Sequence, residues 1–218
     1  MTSAEPLLQS LSSQFAEYIN EVDEMIGENR DYGAGIGPHD EDDQIDALVE
    51  AVKQDGTFPG SLFTVRSNPS QTEYPGGQSA DLVIETDETT IFCEAKLFRF
   101  QYANGRPSPQ AFSKVFNPYQ DRSPRSFIHD VEKLASSEVA THKGFIGLYY
   151  RPVSGAGTEI TGEEVAEKFA SDVDQWTDHS ISVVSVSSFE GLQHDVHSRG
   201  AILSWLLDSQ PQQWFKGG

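Results

Sequence analysis

A single mixed α/β domain is the fold class this sequence predicts, and three observations predict it. Several windows repeat apolar residues at spacings of three and four, the period of a helix with one buried face. Between them lie short runs rich in β-branched and aromatic residues, bounded by Gly, Pro, Asn and Asp. No internal repeat and no linker-like stretch divides the 218 residues, a length that one core can hold. The expected layout is an N-terminal helix and loop over 1–37, a core over 38–186, and a C-terminal helix and tail over 187–218.

The elements follow in order. Leu7, Leu8, Leu11, Phe15, Ile19, Val22 and Ile26 predict an amphipathic helix over 7–28, which the glycine-rich stretch 31–38 breaks. No Gly-Lys-Ser/Thr follows those glycines, so they form a loop and not a phosphate cradle. A second helix starts between Pro38 and Asp40, where the acids of 40–43 suit the positive helix end, and runs to about Gln54 before Gly56. Ile45, Leu48, Val49 and Val52 make its buried stripe. A short strand is expected over 61–66, a loop over 68–79, and a hairpin with strands 81–85 and 90–97 about the turn 86–89. A helix over 126–137, a buried strand over 144–150, a helix over 163–173, a strand over 181–186 and a last helix over 201–207 complete the series.

Composition narrows the function classes. Fifteen Lys and Arg against 34 Asp and Glu give a formal charge of -19, which argues against a general nucleic-acid binder. That composition fits either a protein of a salt-loving organism or an acidic surface made for a basic partner. The charge is uneven, however. Residues 96–128 carry Lys96, Arg99, Arg106, Lys114, Arg122 and Arg125 against Asp121 alone, interleaved with Phe98, Phe100, Tyr102, Phe112, Phe116, Tyr119 and Phe127. Rings beside cations suit phosphate contact and base stacking, and they equally suit a core-filling loop. A lone cysteine, Cys93, excludes an intramolecular disulfide and a Cys-rich zinc cluster. With no run of about 20 apolar residues and no secretory signal at the start, a soluble cytoplasmic protein without membrane association is expected.

The hairpin carries the chemistry. Side chains alternate along a strand, so Glu94 and Lys96 share one face while Ile91, Cys93, Ala95 and Leu97 share the other. A pivot about Asp87 and Glu88 sets Leu82 against Cys93 and Ile84 against Ile91, giving one consistently apolar side. It also sets Asp81 across from Glu94. Directly opposed side chains have Cβ atoms about 5 Å apart, where like charges repel. A divalent cation, Mg²⁺ or Mn²⁺, held by both carboxylates would offset that repulsion, because hard cations take oxygen ligands. Lys96 would then orient or deprotonate a water for attack on a phosphodiester.

Asp81, twelve intervening residues and then Glu94-Ala95-Lys96 make this sequence resemble the PD-(D/E)xK nuclease superfamily. Ala80 stands where the motif's name places proline. The resemblance implies a restriction-endonuclease-like fold: a mixed central sheet flanked by helices, in which Asp81 and Glu94 bind the metal and Lys96 serves the attacking water. It further implies a Mg²⁺-dependent nuclease acting on DNA, with a restriction or defence role and a homodimer both allowed. Members often add an acid from the first core helix. On a helical wheel Glu41 lies one turn before Ile45, Asp42 borders the stripe from the other side, and Glu50 points away, so Glu41 is the choice and Asp42 the reserve.

Arg99, Arg106, Lys114, Arg122 and Arg125, with Lys133 on the helix after the basic loop, are the expected nucleic-acid contacts. The six histidines have no metal-ligand spacing and read as solvated surface. The rival class is a non-catalytic binding protein, in which a nuclease-like scaffold presents an acidic surface to a basic partner or mimics DNA.

Overall fold

The computed structural model describes residues 3–29, 32–74, 78–108, 115–118, 126–137, 142–155 and 157–208. Five helices and ten strands are formed there. Helix α1 (Ala4–Met25) is followed by a small ribbon of β1 (Glu28–Asn29) and β2 (Gly33–Ala34), then by α2 (Glu41–Asp55). Strand β3 (Ser61–Thr64), the single turn α3 (Pro69–Thr72) and a second ribbon of β4 (Glu73–Tyr74) and β5 (Gln78–Ser79) lead to the hairpin. The hairpin is β6 (Leu82–Glu85) and β7 (Thr90–Arg99). Then come α4 (Phe127–Ser136), β8 (His142–Tyr150), α5 (Gly162–Trp176), β9 (Ile181–Glu190) and β10 (Arg199–Leu207).

Six strands form one mixed sheet in the order β3-β6-β7-β8-β10-β9. Only β7 and β8 run parallel, and α4 lies between them in sequence, as a parallel connection requires. The hairpin register is the expected one: Leu82 pairs with Cys93, Val83 with Phe92 and Ile84 with Ile91. Helices cover both faces. Leu7, Leu8, Leu11, Phe15 and Ile19 of α1 and Ile45, Leu48, Val49 and Val52 of α2 pack with Ile91, Cys93 and Ala95 on one side. Phe127, Val131 and Leu134 of α4 and Val165, Phe169 and Val173 of α5 pack with Phe98, Phe145 and Trp205 on the other. This second core is aromatic: the rings of Phe127 and Phe169 stack at 4.2 Å, and Trp205 Nε1 donates to the Ala166 carbonyl at 3.0 Å.

Local chemistry ends the helices where expected. Gly56 closes α2 in the left-handed conformation at φ 71°, which a side chain would strain. Thr161 and Glu164 form a reciprocal capping box at the start of α5. In the last turn of α1, Asp23 is buried and binds two chain segments: Oδ1 accepts the Ile36 N–H at 2.8 Å and Oδ2 accepts the Gln193 N–H at 2.6 Å. Gly35 permits this, since a Cβ there would collide with Asp23 Oδ1.

Four sequence expectations are corrected. Residues 201–207 are not a helix but most of β10, an inner strand between β8 and β9. Ala201, Ile202, Leu203 and Trp205 are buried because both faces are covered, and such a run has no alternation to distinguish it from a buried helix. Strand β9 extends to Glu190, so the boundary placed at 186 falls inside it. Of the expected loops, 31–38 holds β2, whose ribbon partner β1 lies just before it at 28–29, and 68–79 holds α3 and the second ribbon. His194 and His197 are buried and not solvated: the rings stack at 4.9 Å, and each ring has an Nε2 against a backbone carbonyl, Tyr32 and Gln101 respectively. No helix among the described residues is long and apolar enough to cross a membrane.

Candidate active site

The site forms because β7 is longer than its partner β6. Pairing of the two ends at Leu82 and Cys93, yet β7 continues to Arg99 along β8. The edge of β7 that β6 leaves would present bare N–H groups at alternate residues, a costly condition for buried backbone. Two carboxylates take them. Asp81, the residue just before β6, accepts the Ala95 N–H on Oδ2 at 2.7 Å, and Glu41, the first residue of α2, accepts the Leu97 N–H on Oε2 at 2.6 Å. Two acids distant in sequence thus meet on one strand edge.

Glu94 and Lys96 project from the same strand toward α4. Glu94 is only 2% exposed, and Lys133 Nζ lies 2.8 Å from its Oε1. Lys96 Nζ lies 3.0 Å from Asp130 Oδ2 and 3.5 Å from Glu41 Oε1. Asp130 Oδ1 is also 3.8 Å from Lys133 Nζ. The result is an alternating chain of charge, Glu41, Lys96, Asp130, Lys133 and Glu94, with Asp81 beside it.

Four carboxylates against two ammonium groups leave an excess of negative charge in a place where water is scarce. The proton affinities record this. Burial first, then the neighbouring Asp81 carboxylate, pushes Glu94 up to about 8, against the opposing pull of Lys133. Burial likewise pushes Glu41 up to about 7, with Lys96 pulling down and Asp81 pushing up. Burial raises Asp81 too, despite its hydrogen bond from Ala95. Lys96 moves the other way: burial would weaken its charge, but Glu41 and Asp130 outweigh burial and hold the ammonium well above its usual range.

Of the sequence candidates, the structure brings Asp81, Glu94, Lys96 and Glu41 together. Asp42 stays outside, its carboxylate 68% exposed and turned to Arg66 at 3.9 Å. Asp81 does not stand bare across from Glu94, because its oxygen turns to the backbone of β7. Part of the offset that the sequence reading left to a metal comes from Lys133. That lysine is an ion-pair partner in the cluster. Arg99 is half-buried, with its guanidinium 5.6 Å from the Tyr150 ring centre and Nη2 donating to the His39 carbonyl. Arg106 is exposed on the turn after β7. Lys114, Arg122 and Arg125 lie outside the described residues. Phe98, Phe116 and Phe127 fill the aromatic core and offer no stacking surface, whereas Tyr102 is 53% exposed.

Asp130 escaped the sequence reading. Its signal was an acid on the apolar stripe of α4, which runs Phe127, Asp130, Val131 and Leu134, all buried. A charge facing inward on such a stripe needs a partner.

The donor chemistry suits a hard divalent cation, since Asp81, Glu94 and Glu41 offer only carboxylate oxygens and together carry the unbalanced charge. As arranged, each of the three is already engaged by a backbone N–H or an ammonium. Among the described residues no set of three or more His, Cys, Asp or Glu side chains is disposed to close on an ion. At Glu94 the Lys133 ammonium supplies the compensating positive charge. No protein-family model matches the chain, and no curated protein or solved structure matches it either.

Proposed function

We propose that this protein is a Mg²⁺- or Mn²⁺-dependent nuclease that hydrolyses phosphodiester bonds in DNA, on a restriction-endonuclease-like fold. The observation that carries the reading is the convergence of Glu41, Asp81, Glu94 and Lys96 on the one stretch of β7 that β6 leaves unpaired. Asp81 and Glu94 would hold the ion. When bound, the ion supplies Lewis acidity toward the phosphate and a water that loses its proton near neutral pH.

The chain's own groups divide the remaining work. Lys96 remains an ammonium because Glu41 and Asp130 flank it, so its task is to hold the water and balance the phosphate charge; it does not act as a base. Glu41 adjoins Lys96 and, once deprotonated, is the group suited to take the proton from the attacking water. Asp130 and Lys133 position Lys96 and Glu94. A cytoplasmic role in restriction or defence, with or without dimerisation, belongs to the same proposal and rests on resemblance of fold.

The test is incubation of purified protein with plasmid, single-stranded DNA and RNA, in Mg²⁺ or in EDTA. Cleavage of DNA that requires the ion is expected, and a protein inert on all three substrates in Mg²⁺ and Mn²⁺ removes the reading. One observation favours the rival: every acid in the cluster already has a partner, as in a scaffold that binds without catalysis. Under that rival, Mg²⁺ leaves the melting temperature unchanged.

A further inference from the structure

A separate cavity of about 620 Å³ opens at the far end of β7, within the size range of small-molecule sites. Its walls include Tyr32, Asp40, Arg99, Gln101, Tyr102 and His197. It borders the carboxylate cluster through the chain itself: Asp40 precedes Glu41, and Arg99 follows Lys96 by three residues, about 10 Å along a strand.

Two features mark it as built for a ligand. The first is a set of unused polar groups. Gln101 and His197 are 7% and 2% exposed, yet among the described residues Gln101 Oε1 and His197 Nδ1 have no hydrogen-bond partner, and neither has Arg99 Nε. His197 uses Nε2 on the Gln101 carbonyl at 3.1 Å, which leaves Nδ1 as an acceptor. Gln101 uses its amide nitrogen on the Ser154 carbonyl at 2.8 Å. Arg99 has no carboxylate within ion-pair distance among the described residues and spends Nη2 on a neutral carbonyl. Buried polar groups left unmatched cost about 1 to 3 kcal/mol each, and these three atoms, shut off from solvent just behind the cavity wall, would meet a ligand only through a small shift of that wall. The second feature is a pair of rings. Tyr32 and Tyr102 come from segments far apart in sequence, remain 58% and 53% exposed, and line the same opening.

We propose that this cavity is a nucleotide subsite that takes one unpaired unit of a nucleic-acid strand, its phosphate on Arg99 and its base against Tyr102 and Tyr32. Asp40, on the same wall, accepts from an exocyclic amine of the base. A paired base cannot offer its face to a tyrosine, so the site selects single strands or frayed ends over intact duplex. The inference rests on the nuclease reading only in taking a nucleic acid as the bound strand.

The test is binding in EDTA at fixed salt, where no cleavage is needed, by fluorescence anisotropy of a short labelled single strand and of the matching duplex. Mononucleotide competition separates a free nucleotide from a strand as the preferred source. The single strand is expected to bind at least tenfold more tightly than the duplex. Tyr102→Ala, an exposed change that spares the core, is expected to weaken it about tenfold, and Arg99→Gln at least as much. Equal affinity for duplex and single strand, no binding of either, or unchanged binding by Tyr102→Ala and Arg99→Gln would overturn the subsite. Such a failure alongside Mg²⁺-dependent cleavage leaves the hydrolase standing, whereas tight binding by a protein that never cleaves leaves the subsite standing alone.

Discussion

Alanine at Asp81, Glu94 or Lys96 is expected to lower Mg²⁺-dependent DNA cleavage by at least about a hundredfold to a thousandfold in each variant. The expected cause differs among the three. Asp81→Ala removes one metal oxygen and strips the Ala95 N–H of its acceptor. Glu94→Ala removes the second oxygen and frees Lys133 to seek Asp130, already 3.8 Å away. Lys96→Ala removes the flanked ammonium and leaves Glu41 and Asp130 facing one another across its place. None of the three belongs to either apolar core, so near-ultraviolet circular dichroism should match the parent. Cleavage that survives in all three proteins separates the cluster from the activity.

The metal-free protein is expected to lose stability as pH rises from 6.5 to 8.5, by on the order of 2 kcal/mol. The sign follows from the direction of the shifts. Glu94 and Glu41, at about 8 and about 7, hold protons more tightly when folded than a free carboxyl does. Their protonated forms therefore stabilise the fold fully below the ordinary carboxylate range. That contribution fades as pH climbs toward and through those folded values. His197 works in the opposite sense. Burial first, then Arg99, lowers it to about 4, so its contribution is present above its ordinary value near 6.5 and is lost as pH falls toward 4. The window from 6.5 upward isolates the carboxylates. Urea midpoints in EDTA for the parent and Glu94→Gln check the point. The parent should show the steeper fall, and identical slopes would mean that Glu94 does not titrate there.

Much of this arrangement was legible in the residues, for definable reasons. The hairpin register follows from apolar alternation, because a slip of one residue would turn Leu82, Ile84, Ile91 and Cys93 away from α1 and α2. Glu41 follows from its place one turn before Ile45 on the buried stripe of α2. Strand β10 was not legible, since an inner strand covered on both faces has the same continuous apolar composition as a buried helix. The partners of Lys96 and Glu94 were not legible either. Asp130 and Lys133 reach them only because α4 lies across β7, a contact between elements that no spacing within either element encodes. His194 and His197 misled because ring burial depends on which carbonyls the fold brings near, here those of Tyr32 and Gln101.

The most direct measurement is a calorimetric titration of the protein with Mn²⁺ at pH 6.5, repeated in two buffers of different ionisation enthalpy to count released protons. With Glu94 and Glu41 still largely protonated at that pH, binding of one ion should expel about one to two protons, and Asp81→Ala should bind far more weakly. Absence of binding, or binding that releases no proton and persists in Asp81→Ala, would contradict a cluster of crowded acids waiting for a cation.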